Sequence, residues 1–161
     1  MLDITQEHQP LAAFIQDFRH HLHRHPELSN DEFNTTASIR AVLEKYQIRV
    51  IDLPLKTGLV AEIGGINPGE LVVLRSDIDA LPIEEKSAVD YTSQNPGVMH
   101  ACGHDFHTSA ALGAAILLKA QEDSLSGTVR ILFQAAEETG HGAPTLISTC
   151  LLYTSPSPRD T

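Results

Sequence analysis

Cysteine is scarce in this chain. Cys102 and Cys150 are the two among 161 residues, too few for a disulfide framework. Basic residues are also few: 11 Lys and Arg stand against 21 Asp and Glu, a formal net charge of -10. No lysine- or arginine-rich block occurs, and so acidic a surface repels both nucleic acid and anionic membranes, so neither is expected as a partner. No apolar run approaches the roughly 20 residues that cross a bilayer. The opening, Met1-Leu2-Asp3-Ile4, lacks a basic region followed by an apolar one, so no secretory signal is expected. Gly64-Gly65 is followed by neither G-x-G-x-x-G nor Lys-Ser/Thr, which excludes a phosphate cradle there. What remains is a chain of one-domain size, 42% hydrophobic and long enough to bury a core. A cytoplasmic location is expected, since a thiolate ligand at Cys102 suits a reducing compartment.

Local order can be read in several places. Leu11, Phe14, Ile15, Phe18 and Leu22 share one face of a helix expected from about Gln9 to His23. His20, His21 and His23 do not converge on one point of that helix, and Pro26 favours extended backbone at His25. Ser29 and Glu32 have capping-box spacing for a helix running to about Tyr46, with Phe33, Ala37, Ile39 and Leu43 as buried candidates. Residues 48–51 read as an edge strand and 58–63 as a second strand. Residues 64–69 read as a hairpin loop leading to Leu71-Val72-Val73-Leu74, a continuous apolar run typical of a strand buried on both faces. Residues 82–98 read as a loop crossing the carboxyl end of the sheet. A largely apolar helix buried against the sheet follows over 108–121, and a helix begins near Thr145.

The chemistry concentrates in His100-Ala101-Cys102-Gly103-His104-Asp105-Phe106-His107. His100, Cys102 and His104 fall at every second position and point to one side if the backbone is extended. Thiolate with imidazole suits zinc, and nickel, cobalt or manganese are also compatible. Asp105 has two available roles, binding metal or accepting the second ring N–H of a ligand histidine. His107 has two as well, contacting anions or other groups, or capping its helix. Thr128 to Gln134 reads as a strand that runs into Glu137 and Glu138. At a strand end the backbone turns, so one carboxylate can bind metal while the other moves a proton. Asp77 and Asp79 close the apolar run at 71–74, and sites in open α/β sheets gather at such carboxyl ends.

Four ordered stretches together resemble the M20 family of metallopeptidases, and its amidohydrolase branch most of all. They are Leu22-His23-Arg24-His25-Pro26-Glu27-Leu28-Ser29, Arg75-Ser76-Asp77-Ile78-Asp79-Ala80-Leu81-Pro82, His100 to His107, and Phe133-Gln134-Ala135-Ala136-Glu137-Glu138. The resemblance implies an α/β fold, a twisted mixed sheet flanked by helices, forming part of a zinc-peptidase-like di-metal hydrolase domain over residues 1–150. It implies hydrolysis of the amide bond of N-acyl amino acids by a metal-activated water, with Glu137 as general base and Asp79 supporting the site. It further implies two divalent metal ions (zinc, manganese, nickel or cobalt) held by a cysteine, a histidine, a glutamate and two later histidines. Cys102, His104 and Glu138 match the first three; the later two have no counterpart, so at most a partial site is expected. Asp77 stands where many relatives outside the branch carry a histidine ligand. Full-length relatives are expected to be homo-oligomers. The Ser/Pro-rich tail 151–161 departs from the family pattern, and the lid or dimerisation domain is expected to be absent. The alternative is a metal-binding chain without catalysis. A redox thiol protein is disfavoured because there is no Cys-x-x-Cys.

Overall fold

The computed structural model describes residues 10–149. Cys150 and the 151–161 tail lie outside them. In order come α1 (Leu11–Arg24), α2 (Phe33–Lys45), β1 (Arg49–Ile51), β2 (Leu59–Gly64), β3 (Asn67–Asp77), α3 (His104–Lys119), a short 3-10 turn, β4 (Ser126–Gln134) and α4 (Gly142–Ser148). The four strands form one open mixed sheet in the order β1-β2-β4-β3. β2 runs antiparallel to both β1 and β4, and β3 runs parallel to β4.

Alternation along the central strands separates two apolar layers. Leu59, Ala61, Ile63, Ile131 and Phe133 face the main core, where they meet Phe14, Phe18 and Leu22 of α1, Ile39, Val42 and Leu43 of α2, and Leu112, Ala115 and Ile116 of α3. Val60 and Leu132 face the opposite side, where Leu146 of α4 packs. The α1 face expected from its 3.6-residue period is thus the one that is buried. No helix among the described residues is long and apolar enough to cross a membrane.

Several expectations are corrected. Residues 64–69 do not join a paired hairpin, because β4 lies between β2 and β3. The crossing is tight at Gly127, where φ is +81° and an added Cβ would clash with the Glu70 carbonyl oxygen. A Gly127→Ala substitution is therefore expected to destabilise the chain by roughly 2 kcal/mol, from the left-handed backbone and the clash together; chemical denaturation would measure it. β3 is an edge strand among the described residues, with Val72 and Leu74 exposed. Its apolar run does not make it doubly buried, because burial depends on what packs beside a strand. Phe33 and Ala37 are exposed on α2, whose buried positions are Thr35, Ile39, Val42 and Leu43. The Phe33 ring instead lies beneath the Lys56 ammonium, 5.3 Å from its centroid. α3 also leaves Phe106 and Leu117 exposed, since only one of its faces meets α1 and the sheet.

The capping box does not form either. The α2 start is capped by Glu27, whose carboxylate accepts the N–H groups of Asn34 (3.1 Å) and Thr35 (2.8 Å), a favourable place for negative charge. Ser29 and Glu32 are freed for longer-range contacts.

Candidate metal centre

The site forms at the carboxyl ends of the parallel pair β3 and β4, where the start of α3 meets them. The backbone from His100 to His104 is not extended. It turns through Gly103, at φ +80°, and enters α3 at His104, four residues earlier than the apolar pattern indicates. This turn separates the three alternating candidates. His104 is buried and Cys102 exposed, while His100 is buried near His23, ring centroids 6.5 Å apart.

His104 is fixed by Asp79. Its Nδ1 donates to the Asp79 backbone carbonyl at 2.8 Å, and Asp79 Oδ1 lies 3.3 Å from the same nitrogen. Nε2 is therefore left to face the glutamates, 3.9 Å from Glu137 Oε2 and 3.9 Å from Glu138 Oε1. Asp79 is itself held: Oδ2 accepts the Ser29 hydroxyl at 2.7 Å and the Glu138 N–H at 3.0 Å. Burial alone would raise the Asp79 carboxyl, but His104, Ser29 and the Glu138 amide outweigh it and hold it at about 2. The Asp79 hydrogen bond in turn raises the His104 imidazole to about 9 against the effect of burial. The Cys102 thiol is pushed up, first by its hydrogen bond to the Glu138 carboxylate, then by burial and the surrounding negative charge. Asp77, His104 and Glu137 each bring one donor atom within 4.8 Å of the others. Arg75 closes this side, with Nη2 2.7 Å from Asp77 Oδ1 and 3.9 Å from Glu137 Oε1.

A model of peptidase family M20/M25/M40 matches residues 73–157. The chain belongs to this family. It is 56% identical over 152 residues to N-acetyl-L-cysteine deacetylase of Bacillus subtilis, across 91% of this chain and 36% of that protein. It is 45% identical over 121 residues to N-acyl-L-amino acid amidohydrolase of Geobacillus stearothermophilus, across 75% of this chain and 33% of that protein. Among solved structures it is similar to a Bacillus subtilis protein described as a dinuclear metal-binding peptidase of family M20. That likeness has a TM-score of 0.86 at 46% identity and covers 88% of this chain and 40% of the other. The chain thus spans about a third of the length of the curated relatives it matches.

The M20 residues present suit a divalent metal. Imidazole nitrogen and carboxylate oxygen converge in Asp77, His104 and Glu137, a donor set compatible with a divalent ion, while Cys102 lies exposed outside that group. Glu138 Oε1 is buried without a hydrogen-bond partner among the described residues. The contact from His104 Nδ1 to a carbonyl leaves Nε2 as the nitrogen available to a metal.

Other M20 positions in the chain serve different ends. Asp105 does not hold His104. Neighbouring helix residues point about 100° apart, and Asp105 turns toward α1. There its Oδ2 lies 2.8 Å from His23 Nδ1 and 3.1 Å from Arg19 Nε. His23 completes the link with Nε2 3.0 Å from Glu85 Oε1. His107 and His141 are exposed. His20 stacks on Tyr91, centroids 3.9 Å apart. His20, His21 and His23 do not converge on one point of α1, and that scatter conceals the buried role of His23.

Glu85 gives a pH prediction. Burial would raise its carboxyl, but Ser87, the Ser93 N–H and His23 hold it at about 2, well below its ordinary 4.5. A depressed folded value stabilises above the unfolded value and is lost as pH falls toward the folded one. The stability difference between wild type and Glu85→Gln is expected to be constant above about pH 5 and to close between about pH 4.5 and 2. A urea midpoint series across that range measures it, and a gap that stays open at pH 2 contradicts the assignment.

Proposed function

We propose that this chain provides the metal-binding and proton-transfer residues of a hydrolase that cleaves the amide bond of N-acyl amino acids. The observation that carries the reading is the approach of Glu137 and Glu138 to the free Nε2 of a histidine whose Nδ1 is locked by Asp79. The relatives named as deacetylases of N-acetylcysteine and as an N-acyl amino acid amidohydrolase support the substrate class. Cys102, His104 and Glu138 would hold the metal. When bound, such an ion supplies electrophilic polarisation of the acyl carbonyl and lowers the pKa of water.

The remaining chemistry belongs to the chain's own groups. Glu137, more exposed than its neighbour, takes the proton of the attacking water and returns it to the leaving amine. Asp79 keeps the His104 ring in one orientation. Arg75 stands beside Glu137, its Nη2 3.9 Å from Oε1. Residues 1–150 would act as part of an M20 catalytic domain.

The test is metal loading followed by assay. Zinc or manganese at about 100 times Kd is expected to raise stability by about 2.7 kcal/mol and to support amine release from N-acetyl amino acids. Absence of stoichiometric binding would sink the reading. Bound metal without amine release supports the second reading, a metal-binding chain without turnover. The three ligands carried over from the family pattern, Cys102, His104 and Glu138, favour that second reading if they act alone.

A further inference from the structure

We propose that Glu32 is a positioning residue: through the backbone of Ala136, it sets the direction in which Glu137 and Glu138 leave the end of β4. This rests on the reading of those two glutamates as site residues.

Glu32 is 0% exposed, a rare state for a glutamate unless its oxygens are engaged. Both are. Oε1 accepts the Ala136 N–H at 2.8 Å, and Oε2 accepts the Thr57 hydroxyl at 2.7 Å. Helix capping does not need this carboxylate, because Glu27 already caps α2. Ala136 is the point where the strand becomes a turn. Its φ is +51°, a left-handed conformation that a residue with a β-carbon keeps only where its surroundings hold it. The surroundings hold it on both sides. Glu32 takes its N–H, while its carbonyl accepts the N–H groups of His141 (3.2 Å) and Gly142 (3.0 Å). Relaxation of Ala136 to an ordinary φ would swing the next two side chains away from His104.

The same short segment braces the site a second time. Ser29, three residues before Glu32, donates to Asp79 Oδ2, and that oxygen also accepts the Glu138 N–H. Leu28 bridges to Ala80 in parallel register, and the Ala80 N–H donates to the Glu27 carbonyl at 2.8 Å. The turn between α1 and α2 therefore grips both the β3 end and the β4 end of the site.

Amide hydrogen exchange on the full chain tests this directly. In Glu32→Ala, exchange at Ala136 should quicken by about tenfold or more, while Ile131 and Leu132 stay within about twofold. Zinc affinity should fall by about tenfold, the scale of lost outer support for a metal ligand. Glu32→Gln should restore both values to within about twofold, because an amide can accept from Ala136 and donate to Thr57. Unchanged exchange at Ala136 overturns the proposal. So does an even rise along β4, which would make Glu32 ordinary core, or a failure of glutamine to rescue. Should Glu32→Ala not fold, Thr57→Val removes one anchor and should quicken Ala136 exchange about threefold; no change there overturns the proposal equally. A wild-type chain that binds no zinc defeats the reading of the site, whereas the exchange result decides the role of Glu32 independently.

Discussion

Replacing Glu137 with glutamine is expected to lower amine release from an N-acetyl amino acid by about 10²–10⁴-fold, the usual contribution of a positioned general base. Glutamine keeps the size and shape of the side chain but cannot take up a proton at neutral pH. Glu137 is not among the proposed metal ligands Cys102, His104 and Glu138, so metal content should stay near that of wild type. The loss should fall on kcat and kcat/KM together with KM little changed, the pattern of an interaction made only in the transition state. Steady-state kinetics of the metal-loaded protein, paired with metal analysis of the same samples, measure both. A fall of less than about tenfold would place the base elsewhere, and loss of metal would make Glu137 a ligand. The second outcome is physically distinct, because one donor atom of Glu137 lies within 4.8 Å of donors on His104 and Asp77.

Asp79→Ala is expected to cost on the order of 3–5 kcal/mol, the range for breaking a buried charged pair by removing one partner. Asp79 is 1% exposed, and its carboxylate serves three groups: the Ser29 hydroxyl, the Glu138 N–H and the His104 ring. Alanine leaves all three without that partner and opens a cavity beneath the site. The melting temperature should fall on the order of 10 °C for a chain of this size. Asp79→Asn keeps the volume and an acceptor oxygen, so it should lose distinctly less. Calorimetry on the two variants without metal isolates this structural term from any effect on metal binding. Equal stability of Asp79→Ala and wild type would show that the His104 orientation rests on the backbone carbonyl alone.

Much of the candidate site was legible because its chemistry lies in short windows. Cys102 and His104 are two residues apart, Glu137 and Glu138 are adjacent, and each pair follows a recognisable local pattern. The α1 core face was legible for the same reason, since a 3.6-residue period is a local property. Ser29 and Glu32 show how such reading fails. Their spacing satisfied a local explanation, a capping box, and that explanation hid contacts to Asp79 and Ala136, 50 and 104 residues away. Asp105 failed similarly. It adjoins His104 in sequence, but helix geometry turns it to His23 and Arg19 instead.

The sequence by itself determined the donor types, the buried face of α1 and the membership of the M20 family, because residue chemistry and periodicity are carried along the chain. Tertiary structure alone decided the order β1-β2-β4-β3, the edge position of β3 and the nitrogen of His104 that faces the glutamates. It also decided that a buried glutamate from the turn before α2 would hold the end of β4. These depend on groups brought together from distant positions, and a contact across a hundred residues leaves no period in the sequence to be read.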